Sequence, residues 1–320
     1  MSARVRHHTL AVNGIEMHVA EQGEGPLVIL CHGWPELWYS WRHQLPALAA
    51  AGYRAAAPDM RGFGRTAAPE RIEDYTILHT VGDVVALVDA LGEHEAVIIG
   101  HDWGAPVAWS AAMMRPDLFR AVVGMSVPHR PRSTDAPLKS LRQAGLHNYY
   151  WIYFQAPGVA EREFERDVGG TLRKLLYGVA GDAPIDRENP LVIPEGQGFL
   201  DRLTAPPALP SWLREEDVQT METEYRRTGF RGGLNWYRNI DRNWELTAPW
   251  RAATLRKPAL FIAGTRDPVI AGKRGEAAIE QMSRAVPGVK NVLVEGAGHW
   301  IQQERPHEVN AAVLEFLASL

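Results

Sequence analysis

The chain is almost free of cysteine. Cys31 is the one thiol among 320 residues, so no intramolecular disulfide can form. Its place at the end of the apolar run PLVILC suggests a buried, reduced side chain, as expected in the cytoplasm. Long apolar runs are missing as well. No stretch approaches the roughly 18 apolar residues of a membrane span, and the N-terminal MSARVRHHTL has no apolar core of the signal-peptide kind. Nor is there an excess of one charge. The 34 basic and 38 acidic residues are mixed along the chain and leave a net charge of −4. That excludes the basic footprint of a nucleic-acid binder and a polybasic membrane patch. There is no His-Glu-x-x-His and no His/Cys cluster, so neither a metal nor an organic cofactor is expected, and the adjacent His7 and His8 read as a solvated terminus.

What is present is the composition of a soluble globular protein, 46% hydrophobic and 22% charged. The length suits one large α/β domain, with or without an inserted subdomain. Short strand-like segments, HHTLAV and GIEMHVAE, open the chain around a turn at Asn13-Gly14. PLVILC (26–31) and YRAAAPD (53–59) read as strands flanking an amphipathic helix from Trp41 to Ala50. A helix over Ile77–Leu91 leads to the strand Ala96–Ile99, and FRAVVGMSV (119–127) follows as another strand. This alternation argues for a parallel sheet with helices on both faces. It stops near Pro128 and resumes with PALFIAG (258–264), a helix over Gly275–Ala285, the strand NVLVEG (291–296) and a last helix over Glu304–Ser319. The expected organisation is a core of residues 1–128 and 251–320 interrupted by a mainly helical lid, 129–250.

Between the strand at 96–99 and the helical stretch APVAWSAAMM lies Gly100-His101-Asp102-Trp103-Gly104. It is a G-x-D-x-G form of the G-x-S-x-G nucleophile elbow, a sharp strand-to-helix turn that needs glycine where a Cβ would clash. The aspartate decides the chemistry. A serine attacking a saturated carbon would become a stable ether and end the reaction. A carboxylate becomes an ester, which water can cleave. The elbow therefore points to substrates with an electrophilic sp³ carbon, epoxides or alkyl halides.

Two further residues share the C-terminal edge of the sheet with Asp102. Asp267 follows a strand in FIAGTRDPV, and His299 follows another in EGAGHWIQ. Their chain order is nucleophile, acid, histidine. The loop CHGWPE follows the strand ending at Cys31; Gly33 allows close backbone approach and Pro35 fixes the turn. Its Trp34 N–H, with the N–H of Trp103, is placed to hold an oxyanion. His32 and the loop DMRGFGRT (59–66) read as scaffold.

With HGWPE, GHDWG, GTRDPV and GAGHW in this order, the chain resembles the soluble, bacterial-type epoxide hydrolases of the α/β-hydrolase fold. The resemblance runs from His7 to the C-terminus and includes the lid segments HNYYWIYFQAPGVAE (147–161) and GFRGGLNWYRNIDRNW (229–244). It implies a mostly parallel sheet with a helical cap. It implies Asp102 as nucleophile, His299 as general base and Asp267 as the residue that orients it. Tyr150 and Tyr237 become the phenols that hydrogen-bond the epoxide oxygen; among the neighbouring aromatics, only the family pattern selects Tyr150 over Tyr149 and Tyr153. Trp34, Pro35, Trp103, Phe154 and Trp300 would line an apolar pocket. The implied partners are a small apolar epoxide and water, in a monomer or homodimer. A haloalkane-type dehalogenase with the same Asp–His–Asp set is the alternative. Against it stand HGWPE, where such enzymes usually carry a halide-binding Asn, and the two lid tyrosines. A non-catalytic small-molecule receptor of this fold is the remote third reading.

Overall fold

The computed structural model of the protein describes residues 4–184 and 191–320; positions 185–190 of the expected lid lie outside them. Strands β1 (Arg6–Val12) and β2 (Ile15–Gln22) form a hairpin. Its two turn residues, Asn13 and Gly14, both have positive φ, 46° and 78°, as a tight turn between right-twisted strands requires. Strands β3 (Leu27–Cys31), β4 (Arg54–Pro58), β5 (Ala96–His101), β6 (Phe119–Met125), β7 (Ala259–Gly264) and β8 (Lys290–Val294) complete one sheet, in the order β1-β2-β4-β3-β5-β6-β7-β8. Strand β2 runs antiparallel to both its neighbours, and every other pair is parallel.

Parallel pairs need crossover connections, and helices supply most of them: α1 (Gln44–Ala50), α2 (Ile77–Ala90), α3 (Gly104–Met114) and α11 (Gly272–Ala285), while α12 (Ile301–Glu304) and α13 (Pro306–Ala318) follow the last strand. Covered on both faces, β3, β5 and β7 are buried along their whole length, which is why they read as unbroken apolar runs. Alternate residues feed two cores. Ile29, Ile98 and Phe261 belong to one, and Val28, Leu30, Val97 and Ile262 to the other.

Between β6 and β7 the described residues are helical: α4 (Pro137–Gln143), α5 (Tyr150–Tyr153), α6 (Val159–Phe164), α7 (Val168–Gly178), α8 (Glu215–Thr228), α9 (Arg231–Arg238) and α10 (Ile240–Leu246). One isolated bridge joins Tyr149 to Val192. This segment lies against the loops at the carboxyl ends of the strands. A Cβ on Gly232 would fall 2.1 Å from the carbonyl oxygen of Gly62, and one on Gly233 2.4 Å from the Trp34 indole. No helix among the described residues is long and apolar enough to cross a membrane.

Three expectations need correction. The helix expected from Trp41 begins at Gln44, because Trp38–Trp41 forms a separate 3₁₀ turn. The last helix is broken at Arg305 (φ −134°, ψ 59°) into α12 and α13, since Pro306 disfavours helical backbone in the residue before it. His7 and His8 belong to edge strand β1 rather than to a free terminus. His7 Nδ1 sits 3.0 Å from His18 Nε2, and the two rings stack.

Candidate active site

Asp102 follows the last residue of β5 directly. Its φ of +50° is the strained backbone of an elbow. Space allows no other side chains around it. A Cβ on Gly100 would come within 2.0 Å of the Gly104 carbonyl oxygen, one on Gly104 within 2.0 Å of the Cys31 carbonyl oxygen, and one on Gly33 within 2.3 Å of Asp102 Oδ1. The loop after β3 therefore lies directly on the carboxylate. The Trp34–Pro35 bond is cis, and the Trp34 N–H donates to Asp102 Oδ1 at 2.8 Å. Trp103 is the N-cap of α3, so its N–H belongs to the first turn, whose amides have no acceptor within the helix. His32 is buried scaffold. Its Nδ1 meets the Gly33 carbonyl oxygen at 2.8 Å, and its Nε2 accepts from the Met60 N–H at 2.9 Å.

The other carboxylate oxygen faces the histidine, with His299 Nε2 3.4 Å from Asp102 Oδ2. On the far side of the ring, Nδ1 donates to the fully buried Asp267, at 3.0 and 3.1 Å from its two oxygens. Asp267 also accepts the Val269 N–H at 2.9 Å. Three strand ends thus bring Asp102, Asp267 and His299 into one line. Burial alone would lower the His299 pKa, but Asp267 and then Asp102 outweigh it and hold it well above the ordinary histidine value. Trp300 packs edge-on against the His299 ring at 4.8 Å, and its indole N–H donates to the Leu176 carbonyl oxygen.

The inserted segment closes over this line. Tyr150 opens α5, and Tyr237 lies near the end of α9. Arg238 ties the two helices together by donating to the Phe154 carbonyl oxygen at 3.1 Å and pairing with Glu161 at 2.7 Å. The Tyr150 and Tyr237 rings meet at 5.7 Å, and Tyr237 stands edge-on to Trp103 at 5.1 Å. Phe154 fills the angle between the tyrosines and Trp34. Burial, and behind it the neighbouring phenol and the Asp102 charge, push both hydroxyls well above the usual tyrosine range. The rival aromatics are placed differently. Tyr153 spends its hydroxyl on Glu163 at 2.7 Å, and Tyr149 packs behind Tyr150 at 5.0 Å. Of the expected pocket residues, Trp34, Trp103 and Phe154 pack against the Tyr237 ring and Trp300 against the His299 ring, and Pro35 follows Trp34 through the cis bond.

A layer of support escaped the reading of the sequence. His101 Nε2 donates to the His299 carbonyl oxygen at 2.7 Å, and its Nδ1 sits 2.6 Å from buried Glu36. Ser126 donates to the same carbonyl. Glu36 also accepts from Gly33, Gln302 and Gln303. Burial would raise the Glu36 pKa, but His101 and the Gly33 N–H bring it down to about 2. Both His101 and Glu36 lie inside the motifs GHDWG and HGWPE. An ionisable residue inside a motif was the signal available for each. Among the described residues, no group of three His, Cys, Asp or Glu side chains is arranged to hold a metal ion.

An eight-stranded sheet of this order, with an acidic elbow after its fifth strand, defines a protein of the α/β-hydrolase fold. The family model described as alpha/beta hydrolase fold matches residues 26–306. Epoxide hydrolase A of Mycobacterium tuberculosis is 47% identical over 311 residues, covering 96% of each chain. Epoxide hydrolase 1 of Siraitia grosvenorii is 43% identical over 98% of each. The solved structure of an epoxide hydrolase from an endophytic Streptomyces superposes with a TM-score of 0.94 at 45% identity, covering 98% of this chain and 95% of that one. The chain belongs to the epoxide hydrolase family of the α/β-hydrolase fold.

Proposed function

We propose that the protein adds water to an epoxide, giving a vicinal diol through a covalent ester on Asp102. The observation that carries this reading is the position of the Asp102 carboxylate, with Oδ1 held by the Trp34 N–H and Oδ2 3.4 Å from His299 Nε2, under a pair of tyrosines of which Tyr237 packs on Trp103. Residues 129–250 act as the lid, and residues 1–128 and 251–320 as the core. Oδ2 attacks a ring carbon, the C–O bond of the epoxide breaks, and Tyr150 or Tyr237 protonates the emerging alkoxide. The raised pKa of each phenol keeps it protonated until that moment.

Ester formation removes the Asp102 charge. One of the two anions that hold His299 protonated is then gone, so its pKa falls, its proton passes to the tyrosinate, and the neutral ring becomes a base. His299, oriented by Asp267, takes a proton from water, and the hydroxide adds to the ester carbonyl. The oxyanion develops on Oδ1, where the Trp34 N–H already points and the Trp103 N–H joins it. Collapse expels the diol oxygen, which is protonated by His299. The second proton of the water, released as Asp102 re-ionises, re-protonates His299 and closes the cycle.

A dehalogenase would share the Asp102, His299 and Asp267 line but gain nothing from paired phenols. The protein is incubated with a styrene-oxide-like epoxide and, separately, with a bromoalkane. Diol without bromide is the expected result. Bromide release without diol would replace this reading by the dehalogenase.

A further inference from the structure

The backbone of His299 is held by the lid as well as by the core. Four hydrogen bonds join the end of α7 to the loops that carry the candidate base and its acid. The His299 N–H donates to the Val179 carbonyl oxygen at 3.0 Å. The Trp300 indole donates to Leu176, and Arg266, next to Asp267, donates to the Ala183 carbonyl oxygen. The fourth bond runs through Glu304, the last residue of α12. Its Oε2 accepts the Gly181 N–H at 2.9 Å and the Gly298 N–H at 2.8 Å, and its Oε1 accepts the Trp300 N–H at 3.0 Å. This carboxylate brackets His299 on both sides and ties the bracket to the lid.

Glycine makes the seam possible. A Cβ on Gly298 would meet the Gly181 nitrogen at 2.2 Å, and one on Gly181 would meet the Gly296 carbonyl oxygen at 2.3 Å, so the two backbones lie directly on one another. Glu304 is buried, and its carboxylate oxygens are taken up by backbone amides. A carboxylate that accepts three amides from two segments fixes their relative position more tightly than a neutral acceptor could.

We propose that Glu304 is a positioning residue: by clamping residues 298–300 to the lid turn at Gly181, it sets the direction of the His299 ring toward the ester. The proposal rests on the two-step reading above. It assigns Glu304 to one step only. Alkylation uses Asp102 and the tyrosines, which Glu304 does not hold. Ester hydrolysis depends on where His299 points, and a small misplacement of a general base costs up to about a hundredfold.

The experiment is single-turnover kinetics of Glu304→Gln and Gly181→Ala on an epoxide, following enzyme alkylation and ester decay separately by quenched intact-mass analysis. The first variant removes one acceptor oxygen, and the second pushes the same two backbones apart. His299→Gln serves as the control for the chemistry. Both clamp variants should alkylate within about twofold of the parent protein and hydrolyse the ester about ten- to a hundredfold more slowly, so that adduct accumulates. Equal slowing of both steps, no change in either, or failure of both variants to fold would overturn the clamp as a positioning device. Absence of any adduct in folded His299→Gln would instead overturn the two-step reading, and the clamp's role with it.

Discussion

At the residue scale, the groups of the candidate site are held in place by particular neighbours. Asp102 keeps one oxygen on a backbone N–H and the other beside His299. Two phenols, both buried against Phe154 and near the Asp102 charge, have pKa values well above the usual tyrosine range. In the proposed mechanism they share the epoxide oxygen, so one can partly cover for the other. Tyr150→Phe or Tyr237→Phe alone should slow single-turnover alkylation about ten- to a hundredfold, and the double variant should lose nearly all of it. Ester hydrolysis should change little, since its oxyanion sits on backbone N–H groups. Near-normal alkylation by the folded double variant would remove both tyrosines from the mechanism.

At the element scale, the elbow works through what its glycines lack. Gly100→Ala would drive a Cβ into the Gly104 carbonyl oxygen. We expect a stability loss of about 1–3 kcal/mol, measured by urea unfolding, together with loss of activity. Gly14→Ala is the contrast. Nothing lies within 4 Å of its Cβ position, so only the positive φ is penalised; a cost of about 1 kcal/mol and unchanged activity are expected. Equal effects of the two substitutions would contradict the packing argument. These elements were legible in the sequence because buried parallel strands are apolar throughout and glycines mark where backbones meet. The break at Arg305 was legible too, in Pro306, but helical periodicity runs across it. His101, Glu36 and Glu304 were not, because their roles arise from contacts between segments far apart in the chain: His101 with Glu36, 65 residues away, and Glu304 with Gly181, 123 residues away. Spacing cannot carry such contacts. The family pattern had selected Tyr150 over Tyr153, but the residues alone could not show that Glu163 takes the Tyr153 hydroxyl.

At the scale of the whole molecule, the site and the stability of the fold share a buried charge. Glu36 is fully buried, yet His101 and the Gly33 N–H hold its pKa at about 2, below the usual 4.5. A folded-state value below the unfolded one means that the ionised form favours the folded protein. This stability is complete above pH 4.5 and is lost as pH falls toward 2. Glu36→Gln should therefore be less stable than the parent at neutral pH, and the gap between their urea midpoints should narrow across that window. A gap independent of pH would show that the carboxylate charge is not what stabilises the fold.

The central claim is that an oxygen of Asp102, and not of solvent, enters the diol. One turnover of excess enzyme in ¹⁸O-labelled water tests it most directly, with mass analysis of both the diol and the peptide carrying Asp102. The ester route predicts a first-turnover diol free of label and one ¹⁸O in the Asp102 carboxylate. A labelled diol with an unlabelled Asp102 peptide would mean that water attacks the epoxide itself, and the covalent mechanism would be wrong.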